Sequence, residues 1–312
     1  MNSLKIDVSM PVFNSELYLK QSINSVLNQT YKKFKFYIID DCSNDSSWSI
    51  IQEFMKIDKR VIGIKLKENR GMSYCLNKVN QISKADFIAR IDCDDVMELN
   101  RLDEQINYLK KHPDTIVLSS TGKYINENNE ILGKIPNDYI DENKIIERYK
   151  ISKPIGLLHP SVVYSRKKVI EVGGYRGEYW PSEDIDLWAR ILEKNFKIRV
   201  QNKSLIKYRV HTKSAVSSKF IENRKKYRWV EECINLRKKN KKEITFTEFE
   251  QLRKMTINQY RKDLSKFYLR KGGILFYSKN IKMRISSFFY LTISLFLDPK
   301  YFLIKLSKYF FC

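Results

Sequence analysis

Glycine is scarce in this chain, and missing where its presence would mean most. Ten glycines are spread over 312 residues, with no G-x-G-x-x-G among them, which excludes a dinucleotide dehydrogenase. The turn after the first strand-like run, Pro11-Val12-Phe13-Asn14, lacks the glycines that let backbone N–H groups close around a triphosphate. Cysteines are few: Cys42, Cys75, Cys93, Cys233 and Cys312 are odd in number and scattered, without C-x-x-C. That excludes a disulfide framework and a thiolate metal site, and it fits a reducing cytoplasm. No basic-then-apolar leader precedes the first strand-like run, so no secretory signal is expected. There is no internal repeat and no Gly/Pro-rich linker. The uncharged run Ile285–Leu297 covers 13 residues, against the roughly 20 that a helix needs to span a bilayer.

What is present is a chain long enough for one large domain, or one domain plus an extension. Hydrophobic residues make up 43% and aromatics 13%, which rules out wholesale disorder. The net charge of +22 is uneven: residues 221–312 hold 22 Lys+Arg against 8 Asp+Glu, and the first 220 hold 36 against 28. A basic tail implies an anionic partner: nucleic acid, an acidic membrane surface or a phosphorylated substrate.

Short apolar runs alternate with helical patterns over the first 120 residues. Lys5–Met10, Phe34–Ile39, Val61–Leu66, Phe87–Ile91 and Ile116–Leu118 read as strands. Between them Leu19, Ile23, Val26 and Leu27 share one helical face, as do Trp48, Ile51, Phe54 and Met55, and later Leu102, Ile106 and Leu109. Such alternation predicts an α/β fold, a mostly parallel central sheet with helices on both faces, whose ligands bind beyond the carboxyl ends of the strands. From Thr121 the pattern changes to a hairpin (Tyr124-Ile125, Ile131-Leu132), strands at Ser161–Tyr164 and Ile206–Val210, and a helix over about Ile185–Lys194. After Phe220 the chain reads as basic helices. The expected division is therefore a catalytic domain over 1–220, with halves 1–120 and 121–220, and a helical extension over 221–312.

The acidic tract Ile91-Asp92-Cys93-Asp94-Asp95 ends a buried strand pattern. Asp92 and Asp94 are two apart and point to one side of an extended segment. Crowded carboxylates repel unless a positive charge sits between them, so the pair suits Mg2+ or Mn2+ with positions left open for phosphate oxygens. The plainer alternative is a solvated acidic turn. Asp95 either ligates or caps the helix that begins near Arg101, and Cys93 reads as a small filler. An EF-hand is excluded, since its glycine and twelfth-position glutamate are missing. Asp40 and Asp41 end the second strand, with Asp45 as N-cap of the next helix. Glu183 and Asp184 open a helix, where the dipole favours acids.

In order along the chain stand Val8–Glu16, Ser25–Tyr31, Ile38–Asp45, Asn69-Arg70-Gly71, Ala89–Asp95, His159-Pro160-Ser161, Gly173-Gly174-Tyr175, Ser182–Trp188 and Tyr208-Arg209-Val210-His211. Over roughly residues 5–215 this series resembles the inverting family-2 glycosyltransferases of GT-A fold that build bacterial polysaccharides. The resemblance implies that Pro11, Val12, Asn14 and Glu16 pack around the nucleoside, and that Asp40 and Asp41 hydrogen-bond the nucleobase. It adds Asn69, Arg70 and Asp92 to the nucleotide site. Arg90 either pairs with the acids or reaches the nucleotide. The same resemblance makes Asp94 the first metal ligand, Asp92 a holder of ribose or metal, and His211 a metal or diphosphate ligand. Asp184 becomes the general base, with Glu183 in reserve and Asp186 structural. The processive Q-x-x-R-W signature fails, because Lys225-Lys226-Tyr227-Arg228-Trp229 has lysine where glutamine is required. That segment reads as a basic helix face and the enzyme as non-processive.

The expectation is transfer of a sugar, hexosyl or N-acetylhexosaminyl, from a UDP-linked donor to a hydroxyl of a glycan or lipid-linked acceptor, with a divalent metal. Two rivals stand beside it: a nucleotidyltransferase on a similar fold, and a basic nucleic-acid-binding protein. The second leaves the acidic clusters unexplained, and no nucleic-acid partner is expected. The tail, Ile285–Leu297 with Tyr301–Cys312, suits a helix lying on an anionic membrane. The enzyme is then cytoplasmic, peripheral on the inner face of the membrane; a packed helix or dimer contact is the alternative.

Overall fold

A strand buried on both faces reads as a near-continuous apolar run, and the first strand, β1 (Ile6–Val12), is buried throughout, its Asp7 carboxylate satisfied by the Lys35 N–H and the Ser83 hydroxyl. In a computed structural model describing residues 4–136, 139–211, 219–277 and 281–310, β1 lies at the centre of the parallel part of the sheet. It pairs with β2 (Phe36–Asp40) on one side and β4 (Phe87–Arg90) on the other. β3 (Val61–Lys65) adds beyond β2. The intervening helices α1 (Glu16–Leu27), α2 (Ser47–Ile57) and α3 (Met72–Ile82) are the crossovers that parallel neighbours require. The expected parallel α/β half is therefore present.

After β4 come β5 (Val96–Met97), α4 (Arg101–Lys111), the hairpin β6 (Thr115–Ile125) and β7 (Ile131–Lys134), then α5 (Glu142–Lys150) and a 3-10 turn at His159–Ser161. β8 (Val163–Ser165), α6 (Arg166–Glu171), α7 (Glu183–Glu193) and β9 (Lys197–Arg209) follow. The sheet order is β3-β2-β1-β4-β8-β6-β9-β5, with β7 on β6. Beyond β4 the pairing turns antiparallel, β4 to β8 and β8 to β6.

Alternate residues of a strand face opposite sides, and the core divides accordingly. Phe36 and Ile38 of β2 join Leu19 and Ile23 of α1, Ile51 of α2 and Ile106 of α4 on one face. Tyr37 and Ile39 join Leu76 and Val79 of α3 and Leu187 and Trp188 of α7 on the other.

The chain forms two compact units, Met1–Tyr124 with Gly133–Arg209, and Ile125–Leu132 with Val210–Cys312. The second is helical: α8 (Phe220–Lys238), α9 (Phe246–Leu252), α10 (Ile257–Phe276), α11 (Ile281–Leu297) and α12 (Pro299–Phe310). Thr245 with Glu248, and Thr256 with Gln259, form capping boxes that start α9 and α10. The Lys225–Trp229 segment is not a solvated basic face. Lys226 lies against the Trp229 and Phe246 rings, Trp229 is buried, and Arg228 and Arg224 hold the buried Asp263 of α10. Among the described residues no helix is long and apolar enough to cross a membrane.

Candidate active site

The carboxyl ends of β1 and β2 carry two loops that hold each other. The Ser43 hydroxyl accepts from the Asn14 N–H at 3.0 Å, and the Asn14 side chain accepts from the Asn44 N–H at 3.0 Å. Glu16 is tied to the same loop in both directions: Ser46 N–H donates to its carboxylate at 2.9 Å, and Glu16 N–H donates to Asp45 at 3.0 Å. Asp45 also accepts the Ser47 N–H at 2.9 Å, one residue before the cap position, Ser46. Pro11 and Val12 lie within β1 opposite Ile39 and Asp40, and the Val12 side chain is in the core.

Asp41 is buried, and its two oxygens accept the N–H groups of Arg70 at 2.7 Å and Gly71 at 2.8 Å. These are donors at the start of α3, and Gly71, with φ +81°, makes the turn. Asn69 donates to the Asp41 carbonyl at 3.3 Å, while Arg70 lies over the Tyr74 ring and pairs with Glu68. Asp40 is wholly buried. One of its oxygens accepts from Ser43 N–H, and Oδ1 has no partner among the described residues. A buried acceptor without a partner costs about 1–3 kcal/mol.

Asp92, Asp94 and Asp95 each offer a carboxylate oxygen, and these atoms lie within 4.8 Å of one another. Among the described residues this is the one such group of three acids, histidines or cysteines, and His211, which follows β9 in the second unit, is not in it. Of the two alternatives for Arg90, the geometry gives the ion pair: its buried guanidinium forks onto Asp92. Even so, burial and the neighbouring Asp94 raise the Asp92 carboxyl. Burial, Asp94 and Asp92 raise that of Asp95 far above the ordinary range. Asp95 accepts the Arg209 N–H at 2.7 Å through Oδ1, whereas its buried Oδ2 has no partner among the described residues. Three crowded carboxylates and one orphaned oxygen fit a divalent cation, as oxygen-donor sites for Mg2+ or Mn2+ do. Cys93 stays a neutral thiol, its pKa raised by burial and Asp94, and it contacts the Ser15 hydroxyl at 2.9 Å.

The first turn of α7 presents the second acidic pair. Glu183 is buried, its Oε2 has no partner among the described residues, and burial followed by the charge of Asp184 raises its pKa. Asp184 is raised by burial, partly offset by backbone N–H groups and the charge of Arg90. The two neighbours cannot both ionise cheaply, so the pair titrates above the ordinary carboxylate range. Asp186, expected to be structural, is fully buried between Arg176 and Arg190. Arg190 in turn donates to the carbonyls of Val172 and Gly174. That fixes the Gly173-Gly174 turn. A side chain at Gly174 would meet Asn77 Oδ1 at 2.5 Å, and Asn77 holds both backbone groups of Tyr175. The Tyr175 hydroxyl lies 3.0 Å from His159 Nε2, and His159 Nδ1 lies 4.0 Å from Asp184.

Two residues of this site escape sequence reasoning. Arg209 is buried, stacks on Tyr18 and donates to the Asp94 carbonyl and Gln21 at 2.8 Å each. Its signal was the Tyr208–His211 segment, in which the histidine drew notice. His159 stood in the His159-Pro160-Ser161 motif but had no assigned role.

The model of glycosyl transferase family 2 matches residues 7–173, more than half of the chain, and the chain belongs to that family. An uncharacterized glycosyltransferase of Methanocaldococcus jannaschii is 32% identical over 245 residues, 78% of this chain and 82% of the relative. The O-antigen biosynthesis glycosyltransferase WbnJ of Escherichia coli is 34% identical, covering 68% of this chain and 82% of its own. Also from Escherichia coli, the UDP-Glc:alpha-D-GlcNAc-diphosphoundecaprenol beta-1,3-glucosyltransferase WfaP is 28% identical over 70% of this chain and 82% of its own. S. aureus TarS 1-349 in complex with UDP-GlcNAc superposes with a TM-score of 0.57 at 18% identity, over 98% of this chain and 91% of its own. The mannosyltransferase PcManGT from Pyrobaculum calidifontis, in complex with GDP-Man and Mn2+, gives 0.59 at 12%, over 98% and 84%. Both of these are likenesses of fold.

Proposed function

We propose that this family-2 glycosyltransferase moves a hexosyl or N-acetylhexosaminyl group from a UDP-linked donor to a hydroxyl of a glycan or lipid-linked acceptor, with inversion. The observation that carries the reading is the pairing of two acidic groups within one unit: the tight cluster Asp92, Asp94 and Asp95, and the buried pair Glu183 and Asp184 at the start of α7. The charge of Arg90 acts on both. In this reading Asp184 accepts the acceptor's proton as the hydroxyl attacks. Asp94, with Asp92 and Asp95, would hold Mn2+ or Mg2+, which supplies neutralising charge for a diphosphate leaving group. The orphan Oδ1 of Asp40 faces a nucleobase N–H. Asp41, Asn14, Glu16, Asn69 and Arg70 shape the loops around the nucleoside, and His211 remains a proposed diphosphate contact. The UDP donor and lipid-linked acceptor are supported by the names of WfaP and the TarS complex. Lipid-linked acceptors place the reaction at a membrane surface, and scattered free thiols fit its cytoplasmic side.

The test is a panel of nucleotide sugars with Mn2+ and a lipid-linked acceptor. Release of UDP from one of them, lost in Asp94→Ala, is the expected result. Turnover of none, or undiminished turnover in Asp94→Ala, overturns the reading.

A further inference from the structure

The C-terminal helical pair is built inside out. The buried residues of α11 are Ser287 and Ser294, two turns apart. Ser294 and Ser265 of α10 exchange bonds, each hydroxyl donating to the other's carbonyl at 2.8–2.9 Å. Nearby, a Cβ on Gly272 would come within 2.8 Å of Leu291. Small residues let the two helices approach closely. Five large apolar side chains point the other way: Ile281, Ile285, Phe288, Phe289 and Phe296 are 60–80% exposed. Their spacing of three, four and seven residues puts them on one stripe. From Ile281 to Phe296 it runs about 22 Å at 1.5 Å per residue, and Leu303 of α12 is exposed as well. A helix at the surface of a soluble protein shows the opposite pattern, and a contiguous exposed apolar patch marks a contact surface.

The charges decide what covers it. Lys282, Arg284 and Lys300 are exposed beside the stripe, in a segment holding 22 Lys+Arg against 8 Asp+Glu. A second copy docked by a two-fold axis would bring these same cations together, whereas an anionic bilayer complements them. Neither helix can span. We infer that α11 and α12 lie in the interfacial layer of an anionic membrane, the phenylalanine stripe down and the cations at the headgroups. This adds a surface to the membrane placement proposed above and takes from it only the choice of a bilayer. Vesicle binding needs no transfer activity, so its failure is separate from failure of the transferase reading.

The experiment is sedimentation of the full-length protein with vesicles of phosphatidylglycerol and phosphatidylcholine, or of phosphatidylcholine alone. The protein should pellet with the anionic vesicles and less so as salt rises from about 0.1 M to about 1 M. Ile285→Ser with Phe289→Ser and Phe296→Ser should cut binding tenfold or more with an unchanged melting temperature, because these side chains are exposed in the fold. Lys282→Gln with Arg284→Gln and Lys300→Gln should remove most of the salt-sensitive part. The inference is overturned if the parent stays in the supernatant at low salt, or if the triple serine variant pellets equally. It is also overturned if sedimentation velocity shows a dimer that the serine variant dissolves.

Discussion

His159 Nδ1 lies 4.0 Å from Asp184 Oδ2, yet the two do not form an ion pair. Burial and the charge of Arg90 push the His159 pKa well below its ordinary value, so the imidazole is neutral. A neutral ring shields the carboxylate from water without lowering its pKa, and burial leaves Asp184 raised.

A pH dependence follows. The folded pKa of Asp184 is raised, so its contribution to stability is present in acid and is lost as pH climbs through the folded value. Activity runs the other way, because transfer needs the ionised base. The acidic limb of kcat/KM should lie above the range of an exposed aspartate, about 4. In His159→Ala water enters and the limb should move to lower pH. An upward move would mean that His159 had been charged.

The two acidic groups should separate by role. Asp184→Asn is expected to keep UDP binding and lose transfer by about a hundredfold or more. Asp94→Ala should lose the Mn2+-dependent part of UDP binding, as titration calorimetry would show. Transfer at the parent rate by Asp184→Asn would remove it as the base.

Product stereochemistry is independent of both. One displacement turns an α-linked nucleotide sugar into a β-glycoside, which the anomeric coupling in an NMR spectrum reports. An α-linked product would overturn the mechanism and leave the fold untouched.

Asp186 gives a contrast within the same helix turn. Asp186→Ala leaves the nearly buried Arg190 without its carboxylate and removes one partner of Arg176, at a cost of about 3 kcal/mol. Urea unfolding should show that loss, whereas Asp184→Asn should hold or gain stability, since it removes a buried charge.

Periodicity carried most of the fold. Leu19, Ile23 and Val26 sit three and four apart and are all buried in α1, so pattern and packing agree. β9 was read only from Ile206, because Gln201–Ser204 is polar and breaks the apolar run. Its earlier half still alternates, with Ile198 and Val200 in the core and Lys197, Arg199 and Gln201 at the alternate positions. β5 has two residues and no period to detect. Within the site, the acids could be read because carboxylates at strand ends need a reason to be there. Their partners could not, since Arg209 meets Asp95 from 114 positions away and no local pattern encodes that distance. The apolar residues Leu306, Phe310 and Phe311 of the tail lie where side chains or backbone fall outside the described residues.

Asn14, Glu16, Asp41 and Asp45 each spend a side chain on another loop's backbone. The loops at the ends of β1 and β2 have thus lost their freedom during folding rather than on meeting a ligand. Ordering loops and side chains on association is a large share of what weakens binding, and here little of it is left to lose. Affinity for a nucleoside would then come mostly from new contacts. An exchange such as Glu16→Ala, which removes the acceptor of the Ser46 N–H and touches no reacting atom, would weaken binding by returning disorder to the loops.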